Sequence, residues 1–81
     1  MSTTTFDDAM IFTRRQLYEA RASEAQERSA QAHYWARLCL ASGEPDKAAG
    51  WQDVQAREHT RAADCLQFLR FCSDEWLDTD L

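Results

Sequence analysis

The chain is short of the residues that interrupt helices, with one proline and two glycines among 81 positions. Turn chemistry is therefore confined to one or two places, and an all-α fold is expected. No apolar run approaches membrane-spanning length. The opening Met-Ser-Thr-Thr-Thr-Phe-Asp-Asp lacks the basic region and apolar core of a signal peptide. A cytoplasmic protein with no membrane partner is expected. Positive charge is also scarce, and the formal net charge is −5. An acidic chain repels phosphate backbones, so direct nucleic acid binding is not expected.

Chemistry-bearing motifs are missing too. His33 and His59 are the only histidines, and Ala30 and Ala56 stand three residues before them, so the Glu-x-x-His motif of helical di-metal sites is absent. There is no Cys-x-x-Cys and no His-x-x-x-His pair. Cys39 and His33 are six apart on one helix, on different sides, and do not form a nucleophile with its base. Neither an enzyme, a metal site nor a cofactor is expected. The cysteines are Cys39, Cys65 and Cys72. Cys65 and Cys72 lie about 10 Å apart along a helix, beyond the roughly 7 Å that a disulfide spans. An odd, badly placed set reads as reduced thiols serving as small apolar residues.

What punctuation exists is gathered in Ala41-Ser42-Gly43-Glu44-Pro45-Asp46. Gly43 suits the left-handed position that ends a helix. Pro45 suits a first helical position, and Asp46 places a negative charge in the first turn. The spacing predicts a single domain, 1–81, built as an antiparallel helical hairpin with its bend at 42–45. Residues 1–4 are expected to fray, 5–41 to form one helix capped by Thr5, and 45–72 the second. Residues 73–81 form an acidic tail or a short helix capped by Ser73. A break of the first helix near Thr13 or Ser23 would instead give a small three-helix bundle.

The first helix repeats small residues at heptad spacing, Ala22, Ala25, Ser29, Ala32, Ala36 and Cys39. Such a stripe lets two helices approach closely. The second carries Trp51, Gln55, Glu58, Ala62, Cys65, Leu69, Cys72 and Trp76 at the same spacing, with Ala49, Ala56 and Ala63 nearly opposite. Closing the hairpin brings Phe6, Met10, Ile11, Leu17 and Tyr18 against Leu66, Leu69, Phe71, Trp76 and Leu77. It brings Tyr34, Trp35 and Leu38 to Trp51, and Arg28 to Glu58. Large apolar side chains gather at both ends of a thin waist. Arg14, Arg21 and Arg28 recur every seven residues, interleaved with Glu19, Glu24 and Glu27, and read as a solvated face. The acids outside this nearly neutral body are Asp7, Asp8, Asp74, Glu75, Asp78 and Asp80.

Two helices cannot bury this much apolar surface, and soluble monomers avoid exposing it. Association with another protein is therefore expected, most simply with a second copy in a four-helix arrangement. The contact is expected to use Tyr34, Trp35, Leu38, Trp51, Phe68, Phe71, Asp74, Glu75 and Trp76. The reading is a non-enzymatic module that blocks or regulates a partner. In size, acidity and lack of catalytic groups the chain resembles phage-encoded inhibitors of host systems, such as anti-CRISPR proteins. The likeness is one of size and composition, without a shared motif. Some inhibitors of that kind compete with nucleic acid by mimicry, which the acidic ends would allow here. The alternatives are a structural subunit or small chaperone, and a metal or catalytic site at a helical dimer interface.

Overall fold

The computed structural model describes residues 13–81. Three helices follow one another: α1, Arg14–Ala41; α2, Pro45–Phe71; and α3, Asp74–Leu77. α1 and α2 pack along their length as the antiparallel hairpin that the punctuation predicts, and α3 folds back against the start of α1. No strand occurs among the described residues; an isolated antiparallel bridge links Thr13 to Asp80.

α1 does not run unbroken from residue 5. Thr13 is extended, at φ −125° and ψ 164°. Its hydroxyl accepts the Gln16 N–H at 3.2 Å, while the Gln16 Oε1 accepts the Thr13 N–H at 3.0 Å. This reciprocal box satisfies two donors that a helix start leaves open, and it sets the start at Thr13, one of the two positions expected for an alternative break. The 28-residue α1 is about 42 Å long at 1.5 Å per residue, shorter than a helix begun at residue 5. The expected fraying of 1–4, the Thr5 cap and the pairings of Phe6, Met10 and Ile11 lie outside the described residues.

The bend is a Schellman-type stop followed at once by a start. The Gly43 N–H donates to the Leu40 carbonyl at 3.2 Å, and the Glu44 N–H to that of Cys39 at 2.8 Å. Gly43 has φ +74°, the left-handed value this closure requires. Glu44 is the N-cap of α2 and Pro45 its first helical residue. The Glu44 carboxylate makes no cap bond; it holds Lys47 at 2.9 Å, which raises the ammonium above its ordinary pKa.

The core is made almost wholly of methyl groups. Ala22, Ala25, Ala32 and Ala36 of α1 are buried, as are Ala48 and Ala62 of α2. Ser29, in the same stripe, donates its hydroxyl to the Gln55 carbonyl across the interface at 3.2 Å. Ala49, Ala56 and Ala63 point outward. The expected Arg28–Glu58 pair does not form. Arg28 instead takes Glu24, one turn away on its own helix, and Glu58 takes Arg61 at 3.5 Å. Local i,i+4 and i,i+3 partners ask less ordering of long side chains than a cross-helix reach.

Among the described residues, Leu77 is the single large side chain that is completely buried. Ser73 caps α3 by accepting the Trp76 N–H at 3.3 Å. Arg15 then clamps the turn, giving one N–H to Asp74 and another to Asp78, each at 2.8 Å. These two bonds, that to Asp78 the stronger, hold the guanidinium well above its ordinary pKa.

Candidate protein-binding face

The residues expected to bind a partner fall into two clusters. At the bend end, Trp35 stacks on Trp51 with ring centroids 6.3 Å apart and meets Tyr34 edge-on at 5.6 Å. Trp35 and Leu38 line a shallow groove with Cys39, Ser42 and Glu44. At the open end, Phe68 packs on Tyr18 at 4.6 Å and meets Trp76 edge-on at 5.8 Å. From Tyr18 to Trp35 is about 25 Å along α1, so the clusters are separate but share one side of the hairpin.

That side can be followed residue by residue. Arg14, Arg21, Arg28 and Trp35 recur every seven positions and form one stripe. The Arg14 guanidinium lies 4.7 Å from the Trp76 ring centre, and that of Arg21 lies 5.4 Å from Tyr18. Between the clusters, Arg21, Glu24 and Arg28 of α1 face Arg61 of α2 across a groove floored by Ala25 and Cys65. Arg57 and Asp64 line the adjoining hollow beyond Arg61. Among the described residues, Arg28 and Arg61 have carboxylate partners, whereas Arg21 and Arg57 have no ion pair. Arg21 and Arg28 of the stripe are exposed and interleaved with Glu24, which pairs with Arg28, as expected of a solvated face, and they lie in a basic band between the two aromatic clusters.

Three of the expected residues stand apart. Phe71 is 80% exposed and groups with Leu66 and Arg70 on the outer side of α2 instead of with Phe68. The Asp74 carboxylate is already held by Arg15, while Glu75 offers its carbonyl to the Thr79 hydroxyl at 2.7 Å. Tyr34 at 60% and Trp35 at 48% exposure remain open to a partner. Tyr18 and the Arg21–Arg61 groove were not singled out as binding residues by the sequence. The heptad recurrence of Arg14, Arg21 and Arg28 was the available signal.

Chemically, the band offers guanidinium donors and aromatic edges. All three cysteines are free and half-buried. Among the described residues, no group of three or more His, Cys, Asp or Glu side chains converges to hold a metal. No described helix is long and apolar enough to cross a membrane. Comparison with protein-family models, curated proteins and solved structures finds no match to this chain.

Proposed function

We propose that this chain is a non-enzymatic interaction module that blocks or regulates another protein by seating on it through the aromatic-ended face. One observation carries the reading. The interior is filled by alanine while Tyr34, Trp35, Leu38, Trp51, Phe68 and Trp76 stay largely or partly exposed. A chain that keeps its large side chains outside has them available for an interface, where tryptophan, tyrosine and arginine dominate binding. An inhibitor of the small phage type, working by occupancy alone, is consistent with this build.

The test compares wild type with a Trp35→Glu/Phe68→Glu variant whose helical circular dichroism is unchanged. A protein retained from cell extract by the wild type and lost by the variant is the expected result. Equal retention by both removes the face from the interaction.

The second reading is a four-helix homodimer, and the Leu66–Phe71 patch on the outer side of α2 favours it. Among the described residues, Phe71 is the most exposed of the large apolar side chains, and a two-fold contact uses it twice. Full burial of one phenylalanine is worth roughly 1.5–3 kcal/mol. Replacing Leu66 and Phe71 together by serine should then weaken the dimer by several powers of ten, measured by sedimentation equilibrium over a concentration series. A wild-type chain that stays monomeric at high micromolar concentration rules the homodimer out and leaves a different protein as the partner.

A further inference from the structure

We propose that the partner presents an acidic amphipathic helix, which lies lengthwise along the band between the two aromatic clusters. The inference rests on the protein-binding reading above and names the chemistry of what binds.

Charge comes first. The chain is acidic as a whole, at −5, yet the groove at its waist is framed by Arg21, Arg28 and Arg61 with Glu24, and Arg57 and Asp64 line the hollow beside it, so arginine outnumbers carboxylate there. Glu24 and Glu58 occupy Arg28 and Arg61, and the guanidiniums of Arg21 and Arg57 are left without a carboxylate among the described residues. A surplus of planar forked donors, each flanked by apolar surface, suits carboxylates delivered by a partner.

Shape comes second. The groove floor is Ala25 and Cys65, small residues that let a third helix settle close to α1 and α2. The clusters at Tyr18–Phe68 and Trp35–Trp51 are about 25 Å apart, the length of about 17 helical residues. An occupant helix would carry apolar residues at each end of that span and acids between them.

The same facts tell against two other occupants. A second copy placed on this face about a two-fold axis through the groove would set arginines of one groove against those of the other, a like-charge contact that interfaces avoid. Single-stranded nucleic acid binds by stacking bases on open ring faces. Here one face of Trp35 is taken by Trp51 and one face of Trp76 by Arg14, which reduces the ring area open to bases.

The experiment selects a displayed library of amphipathic helical peptides, randomised at the polar positions, against the intact chain. Enriched peptides should be acidic in their central turns and apolar at both ends. Arg21→Glu/Arg28→Glu/Arg61→Glu protein should bind the synthesised winners at least tenfold more weakly. The same variant should regain affinity for peptides whose central acids are changed to lysine. Enrichment without acidic preference overturns this inference and leaves the protein-binding reading standing. No enrichment, together with extract proteins retained equally by wild type and Trp35→Glu/Phe68→Glu, overturns both. A thymidine oligonucleotide that displaces the best peptide and binds more tightly makes the band a nucleic acid site instead. Concentration-dependent dimerisation abolished by the triple reversal makes it a self-association face.

Discussion

Glu58 sits where the alanine waist leaves least room for charge. One carboxylate oxygen reaches Arg61 at 3.5 Å, and the other, Oε2, is buried without a hydrogen-bond partner. An unpartnered buried acceptor costs about 1–3 kcal/mol. Glu58→Met, close in volume and apolar, should raise unfolding stability by about 1 kcal/mol, read from the urea midpoint at unchanged slope. A loss of stability would show that the Arg61 contact outweighs the buried oxygen. Gly43 makes a sharper case, because a Cβ built there meets nothing within 4 Å. The cost of a substitution is therefore backbone strain alone. Gly43→Val should destabilise by about 1 kcal/mol or more. Gly43→Asn, which tolerates positive φ, should lose measurably less in the same denaturation experiment.

At the scale of elements, α3 depends on partners far away in the chain. Arg15 lies 59 residues from Asp74 and 63 from Asp78. Arg15→Ala should loosen α3 while leaving the hairpin intact. Hydrogen exchange should quicken at the Leu77 amide, which donates to the Ser73 carbonyl at 3.0 Å, with the central amides of α1 unchanged. Added salt should act in the same direction on the wild type, since the clamp is solvent-accessible. This element also shows where sequence reading stops. The Ser73 cap and the docking of Leu77 were legible because a cap followed by apolar residues is a local pattern. The Arg15 clamp has no local pattern at all. The bend and the register were legible, since Gly43 and Pro45 fix the turn and the turn fixes which residues meet; Trp35 on Trp51 follows from it, whereas Tyr18 meets Phe68 while Phe71, expected on the inner side, faces outward. The start of α1 at Thr13 was legible only as the alternative break, because Thr13-x-x-Gln16 is a capping pattern that competes with the Thr5 cap expected upstream. The basic band was legible only in half, on α1. Its other half on α2 depends on how the two helices are rotated about their axes.

For the molecule as a whole, the separation of small residues inside from large ones outside has a calorimetric consequence. Heat capacity on unfolding tracks the apolar area exposed, and ordinary domains gain about 12–15 cal/mol/K per residue. A hairpin whose buried side chains, among the described residues, are alanines and Leu77 exposes little new apolar area when it melts, so its gain per residue should fall below that range in scanning calorimetry. Its stability should then change slowly with temperature, with a broad, shallow maximum. Titration calorimetry of a selected acidic helix should reverse the pattern. Covering Trp35, Leu38, Phe68 and Trp76 removes large aromatic surface from water, and binding should carry a strongly negative heat-capacity change. Measured by its heat capacity, this protein would bury its oil on meeting a partner more than on folding.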